Sequence, residues 1–341
     1  MFAPRLYFPA AWYKTHHPLG YALAPLSWLF RAAVSVRRFA YRHHLATVHH
    51  PGIPLVVVGN ITTGGTGKTP LVIWLAKFLQ EQGLRPAIVV RGYGGRANHW
   101  PQWVDANADP ALVGDEAVLL ARRTHGKVVA SPNRVAAVRA LMAHTDCNLI
   151  LSDDGLQHYA MARDIEIAVV DKVSGYGNGR CLPAGPLREP ISRLATVDFV
   201  MVNHGASQDL DSCLPGRDEY GMTLLPGNLR QVTDEEKERP ADAFRGMPVH
   251  AVCGIGRPDR FFQTLRRLGL DIKSHAFPDH HPFRPKDVAF EDGLPVLMTE
   301  KDAVKCRRFA DANHWYLSVD AAPESAFGTR LLTLLREMSI G

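Results

Sequence analysis

No aspartate or glutamate occurs in the first eighty residues; the first acid of the chain is Glu81. The charged groups of residues 1–50 are Arg5, Lys14, Arg31, Arg37, Arg38 and Arg42, all cationic. These are six of the 39 Lys and Arg, so residues 51–341 hold 33 cations against 34 acids, and the formal +5 arises in the N-terminal segment. A nucleic-acid binder carries a basic face on its folded domain. Here the globular part is not basic, and no nucleic-acid partner is expected.

Cysteine is sparse as well. The five residues, Cys147, Cys181, Cys213, Cys253 and Cys306, are odd in number and form no C-x-x-C pair. That argues against a disulfide framework or a zinc ribbon and fits a reducing compartment. Long apolar runs are missing too. The uncharged stretch between Lys14 and Arg31, "THHPLGYALAPLSWLF", has 16 residues. As a helix it would reach roughly 24 Å, short of a hydrocarbon core of about 30 Å, and Pro18, Gly20 and Pro25 interrupt it. A cleavable signal peptide fits poorly, because the apolar stretch starts late and no small-residue cleavage site follows. The expectation is an interfacial segment. Tyr7, Phe8, Trp12, Tyr13, Tyr21, Trp28 and Phe30 supply aromatic anchors, and Arg31, Arg37, Arg38 and Arg42 follow as a basic cluster. Each such cation is worth about 1 kcal/mol near anionic lipid. The competing reading is a helix packed on the domain with its basic face in water.

What is present is an ordinary globular composition, 46% apolar and 21% charged. A chain of 341 residues suggests two domains. From Pro54 onward short apolar runs alternate with helical patterns. "PLVVVGN", "RPAIVVRG", "KVVAS", "CNLILSDD", "IEIAVVD" and "DFVMVN" read as buried strands. "KTPLVIWLAKFLQEQG", "GDEAVLLARRTHG" and "PNRVAAVRALMAHT", the last with Pro132 in its first turn, read as helices. The pattern predicts an α/β fold with a mainly parallel sheet covered on both faces. A second set begins near Pro248: "PVHAVCGIG", the helix "PDRFFQTLRRLG", and then "DIKSHAFPD", "PVLMTEKDAV" and "WYLSVD" as strands. The polar run "QVTDEEKERPADAFRG" between the sets reads as a connection or an exposed hairpin. The expected division is an N-terminal interfacial segment over 1–50, a core over 51–225 and a smaller α/β domain over 226–341. Its boundary falls within 205–245, and the final helix is free to pack back on the core.

One absence bears on chemistry. "GNITTGGTGKTP" lacks the first glycine of the phosphate-loop pattern G-x-x-x-x-G-K-[ST] and has Thr62 there. The context is still strand, Gly-rich turn and helix, which phosphate binding requires. Thr62, Thr63, Gly64, Gly65, Thr66, Gly67, Lys68 and Thr69 form the candidate nucleotide loop. The glycines let backbone N–H groups approach phosphate oxygens, Lys68 reaches the β/γ-phosphates, and the Thr69 hydroxyl is offered to Mg²⁺. In "LILSDDGLQH" an apolar run ends in Asp153 and Asp154, where a carboxylate can hold Mg²⁺ directly or through water. For Asp115 and Glu116 of "VGDEAVLL", helix capping competes with a catalytic role. Arg134 of "SPNR" opens a helix, where a cation opposes the dipole and an anion contact is expected. In "FPDHHPF", Asp279, His280 and His281 suggest one catalytic or orienting histidine more than a metal site.

"GNITTGGTGKTP", "RGYGG", "GDE", "SPNR", "DDGLQH", "GNGRCLPAGPLREP", "FPDHH" and "MTEKDAVK" occur in that order over residues 59–305. In these motifs the chain resembles the tetraacyldisaccharide 4′-kinases, the lipid A 4′-kinases of Gram-negative bacteria, over nearly its whole length. The absent first glycine belongs to that family's own pattern. The resemblance implies an ATP- and Mg²⁺-dependent kinase with a P-loop core, a smaller C-terminal α/β domain and an active site in the cleft between them. It transfers the γ-phosphoryl group to the 4′-hydroxyl of an acylated disaccharide 1-phosphate lipid, forming lipid IVA. Its expected place is the cytoplasmic face of the bacterial inner membrane, docked through the N-terminal segment, with no obligate protein partner evident. It further implies Asp115 as the catalytic base paired with His280, with His281 one step away as the alternative. Lys68 and Thr69 match the phosphate-loop lysine and magnesium threonine, and Glu116 and Asp154 help place Mg²⁺. Arg91, Arg134, Asp153, Gln157 and His158 line the cleft. To these we add Arg188 of "LPAGPLREP" as an anion contact. Two competing readings stand: a membrane-associated P-loop ATPase switch that phosphorylates no small molecule, and a soluble small-molecule kinase with a merely structural N-terminus.

Overall fold

The computed structural model describes residues 11–14, 16–205 and 218–340. The expectations placed on Arg5, Tyr7, Phe8 and Cys213 fall outside them. In chain order the elements are α1 (Pro18–Ala22), α2 (Ala24–Arg42), β1 (Leu55–Gly59), α3 (Lys68–Glu81), β2 (Pro86–Val90), β3 (Gln102–Val104), α4 (Pro110–Val113), α5 (Asp115–Thr124), β4 (Lys127–Ala130), α6 (Arg134–His144), β5 (Leu149–Asp153), β6 (Ile165–Asp171), β7 (Phe199–Asn203), β8 (Glu219–Gln231) and β9 (Glu238–Arg239). There follow β10 (Pro248–Cys253), α7 (Pro258–Arg267), β11 (Asp271–Ala276), α8 (Pro285–Val288), β12 (Val296–Thr299), α9 (Glu300–Cys306), β13 (His314–Pro323) and α10 (Ser325–Ile340). The chain forms two compact units, each discontinuous in sequence.

The first unit takes the described residues up to Lys68, then Leu149–Thr223 and Pro323 onward. Its strands are all parallel: β5 pairs with β1, β1 with β6, β6 with β7, and β7 with the start of β8. β1, β5, β6 and β7 are buried along their whole length, as continuous Val/Ile runs in a parallel sheet require. α10 returns the chain to this unit: Phe327 packs edge-on against Phe199 at 5.3 Å and lies 5.5 Å from Tyr220. α2 is held at its first turns, where Ser27 Oγ donates to the Cys181 carbonyl at 2.7 Å. No helix of the described residues is long and apolar enough to cross a membrane.

The second unit comprises Thr69–Asn148 and Leu224–Ala322. Here β2 pairs in parallel with β4 and β3 antiparallel with β4, while β11, β10, β12 and β13 run parallel in that order. The units divide between Thr223 and Leu224, within 205–245, and also at 68/69, 148/149 and 322/323. Residues 69–148 group with 224–322 because α5 packs on α9, tied by Arg123 to Glu300 at 2.6 Å and Lys301 to Glu116 at 3.0 Å.

Two local expectations change, and a third resolves to one of its two alternatives. "PVLMTEKDAV" is not one strand: it stops at Thr299, whose side chain caps α9 by accepting from the Asp302 N–H. α6 starts at Arg134 with Asn133 as its N-cap, so Pro132 precedes the helix. The polar run after β8 closes as a hairpin, Leu229 opposite Arg239 and Arg230 opposite Glu238.

Candidate active site

The glycine-poor start of the loop has a backbone cause. Thr62 forms an antiparallel bridge with Leu187, the Thr63 N–H donates to the Pro186 carbonyl at 2.8 Å, and the Arg188 N–H donates to the Ile61 carbonyl at 2.7 Å. The chain at Thr62 is outside the left-handed region, so a residue with a side chain costs nothing there. Gly67 does need to be glycine: its φ is +95° and a Cβ would lie 2.8 Å from Asn203 Nδ2. A Cβ on Gly65 would meet nothing within 4 Å, so the front of the loop is open space. The loop is braced from behind. Asn203, fully buried, donates to the Thr66 carbonyl at 2.9 Å, and Gln157 Nε2 donates to the Asn60 carbonyl at 3.0 Å.

Gln157 in turn donates to Glu189 at 2.8 Å, and Glu189 also accepts from Tyr159 and lies 3.4 Å from Arg193. Arg193 and Glu189 are 2% and 1% exposed, so this ion-pair network lies wholly inside the unit. Burial, and then the Glu189 charge, push the Tyr159 hydroxyl well above the usual phenol range, so Tyr159 serves as a donor.

At the end of β5, Asp153 is buried and Asp154 turns into left-handed backbone at φ +49°. The Asp154 carboxylate lies 3.5 Å from Lys68 Nζ, and Arg188 Nη1 donates to both its oxygens at 3.0 Å. Arg188 is thus engaged by Asp154. His158 sits in the turn after β5, its carbonyl accepting from Arg163 at 2.6 Å. Asp154 and the Thr69 hydroxyl are hard oxygen donors of the type Mg²⁺ takes. Among the described residues no three His, Cys, Asp or Glu cluster as a metal cage. Mg²⁺ is commonly held by one or two carboxylates together with the phosphates of its nucleotide.

The second unit carries the other candidates. Gly114, at φ +92°, caps α5, and a Cβ there would collide with the Tyr93 carbonyl at 2.6 Å. This close approach brings "RGYGG" against "GDE". Asp115 is 4% exposed. Its Oδ1 accepts from the Glu116 N–H at 2.9 Å, which satisfies a first-turn donor as a capping group would. Its Oδ2 lies 3.1 Å from His280 Nδ1. His280, not His281, makes this contact; His281 pairs with Asp287 at 3.1 Å. His280 stands at φ +57°, and its ring lies 4.8 Å from Tyr93, over which Arg91 sits at 5.9 Å. Arg134 at the start of α6 is 3% exposed.

Two lysines of α9 complete the surroundings. Lys305 Nζ lies 3.7 Å from Asp115 Oδ2 and 2.8 Å from Asp302, and Lys301 Nζ lies 4.0 Å from Asp115 Oδ1. Burial pushes the Asp115 carboxyl up, but the His280 hydrogen bond and the Lys301, His280 and Lys305 charges outweigh it and hold it below the usual range. The hydrogen bond to Asp115 raises His280, against burial and Lys301. Burial lowers Lys301, but Glu116, Asp115 and Asp279 carry it well above the usual lysine value, so it is fully charged.

Asn203, Glu189, Lys301 and Lys305 were not among the sequence candidates. The polar residue ending the apolar run "FVMVN" is the available signal for Asn203, and lysines four apart in "EKDAVK" are the signal for Lys301 and Lys305.

The fold and the loop define a nucleotide-binding α/β protein of the P-loop type. A family model described as Tetraacyldisaccharide-1-P 4'-kinase matches residues 19–336, and the chain belongs to that family. The tetraacyldisaccharide 4'-kinase of Nitrosococcus oceani is 53% identical over 326 residues, 96% of this chain and 93% of that protein. The protein of the same name from Alkalilimnicola ehrlichii is 49% identical over 312 residues, 91% of each. A crystal structure of LpxK from Aquifex aeolicus in complex with ATP superposes with a TM-score of 0.80 at 26% identity, covering 93% of this chain and 99% of that one.

Proposed function

We propose that this protein transfers the γ-phosphoryl group of ATP to the 4′-hydroxyl of tetraacyldisaccharide 1-phosphate, forming lipid IVA in lipid A biosynthesis. The observation that carries this is the buried Asp115 carboxylate against His280 at 3.1 Å. An alcohol acceptor needs somewhere for its proton to go, and this carboxylate supplies the place.

Residues 62–69 hold the triphosphate, with Lys68 on the transferred group. Thr69 and Asp154, with Glu116 assisting, would hold Mg²⁺, which when bound would neutralise charge on the phosphate oxygens. Arg91, Arg134, Asp153, Gln157, His158 and Arg188 serve the substrates, Gln157 through its bond to the loop. Asp115 is ionised at neutral pH and ready to accept the hydroxyl proton. His280 orients the accepting carboxylate, and the arriving proton belongs to the coupled pair. Most of the rate comes from positioning and charge neutralisation.

The N-terminal segment docks the protein on the cytoplasmic face of the bacterial inner membrane. In support, Leu26, Trp28, Leu29, Val36 and Phe39 of α2 are 52%, 67%, 67%, 68% and 54% exposed, interleaved with arginines. Exposed apolar groups beside cations are what an anionic interface attracts. The test is direct: γ-labelled ATP, Mg²⁺ and the disaccharide 1-phosphate in detergent yield a doubly phosphorylated lipid. Phosphate release without lipid labelling would favour the switch.

A further inference from the structure

We propose that Lys301 is a positioning residue of the phosphoryl-transfer site, holding the Asp115 carboxylate and the His280 imidazole in one arrangement. The inference rests on the kinase reading above.

The geometry starts from α9. Asp302, fully buried, accepts from the Thr299 hydroxyl at 2.6 Å and from the Gly254 N–H at 2.9 Å, and is ion-paired with Lys305 at 2.8 Å. It thereby locks the first turn of α9 to the end of β10. The Gly254 carbonyl accepts from the His280 N–H at 3.2 Å. One buried carboxylate thus links the helix bearing Lys301 to the backbone of His280.

Lys301 Nζ then lies 3.0 Å from Glu116 Oε1, 3.3 Å from His280 Nε2, 3.8 Å from Asp279 Oδ1 and 4.0 Å from Asp115 Oδ1. An ammonium has three N–H groups and no lone pair, so it can only donate. At His280 Nε2 it therefore meets an acceptor, and the imidazole proton lies on Nδ1, aimed at Asp115 Oδ2. The bond from Lys301 selects the tautomer that orients the base. The ion pair with Glu116 fixes the start of α5, which carries Asp115. Lys301 touches the dyad, not the reacting atoms, so its removal should misplace the base rather than abolish nucleotide binding.

The experiment measures lipid phosphorylation by the full-length chain with Lys301→Met, Lys301→Arg and Lys301→Gln, alone and combined with Asp115→Asn, with melting temperatures recorded for each. We expect Lys301→Met to lower kcat by about 10- to 100-fold, the cost of a base misplaced by about an ångström, with the KM for ATP within about twofold of wild type. Lys301→Arg, which keeps the charge and a donor, should recover most of the loss. Lys301→Gln keeps a donor without charge and secures the comparison if Lys301→Met melts early. In the Asp115→Asn background, Lys301→Met should remove little more, because a positioning residue acts through the group it positions. Wild-type kcat in Lys301→Met would overturn the proposal, as would an equal fold-loss with and without Asp115. An inactive wild-type enzyme would instead overturn the kinase reading itself.

Discussion

His280 Nδ1 and Asp115 Oδ2, 165 positions apart in the chain, lie 3.1 Å from one another on a carboxylate that is almost fully buried. Burial alone would favour a neutral carboxyl. The partners reverse that preference and keep a charged base out of water. Replacing Asp115 with Asn keeps the shape and removes the base, and kcat should fall by about 10²- to 10⁴-fold. Replacing His280 with Ala should cost less, since the carboxylate remains. Equal activity of wild type and Asp115→Asn in the labelling assay would remove Asp115 from the reaction.

The same pair makes stability depend on pH. His280 is raised from 6.5 and Asp115 lowered from 3.8. The histidine contribution is fully present below about 6.5 and fades as pH rises through its raised value. The aspartate contribution is present above about 4 and fades as pH falls through its lowered value. The melting-temperature difference between wild type and His280→Gln should therefore peak near pH 5–6, between about 4 and 6.5, and shrink on the alkaline side. A difference that grew with pH would contradict the assignment.

Two glycines of the loop should separate folding from binding. A Cβ at Gly67 meets Asn203 at 2.8 Å in left-handed backbone, whereas one at Gly65 meets nothing within 4 Å. Gly67→Ala should lower the melting temperature and weaken ATP binding together. Gly65→Ala should melt like wild type yet bind ATP more weakly, because its methyl occupies the space the phosphates approach. Calorimetry with ATP and a thermal melt distinguish the two.

The Glu189–Arg193 network is a stability element. Arg193→Ala leaves the Glu189 carboxylate, at 1% exposure, without its cation, with only the Gln157 and Tyr159 donors, and leaves Glu166 to Arg163 alone. Breaking a buried pair from one side costs about 3–5 kcal/mol. Denaturant unfolding should show a loss of that order, with Gln157, and hence the loop, loosened. A loss below about 1 kcal/mol, typical of an exposed pair, would show that water reaches the network.

On α2, Trp28, Leu29 and Val36 are about two-thirds exposed, so Trp28→Ser with Leu29→Ser should leave the melting temperature almost unchanged. Binding to vesicles of anionic lipid should drop by tenfold or more, given about 1.5–3 kcal/mol for each large apolar side chain fully removed from water. Unchanged vesicle binding would assign the exposed face to something other than a membrane.

Much of this protein is legible residue by residue. The runs LVVVG, LILSD and FVMVN are strands because unbroken β-branched residues suit a sheet buried on both faces. Lys68-Thr69 after three glycines marks a phosphate loop because few other settings need that flexibility before a helix. Segments whose state depends on distant partners were less legible. Glu300–Cys306 looked like a continuing strand, but Asp302 finds Thr299 and Gly254 and starts a helix. That misreading hid Lys301 and Lys305.

Local periodicity and turn chemistry, properties of neighbouring residues, determined the strands, most helices and the loop that names the class. The tertiary structure alone decided which histidine meets Asp115, why Thr62 can stand where a glycine is usual, and which lysines keep a buried carboxylate charged. Each of these is a contact between residues tens to hundreds of positions apart. Their energies come from distance and exclusion of water, and neither is written in the order of the residues.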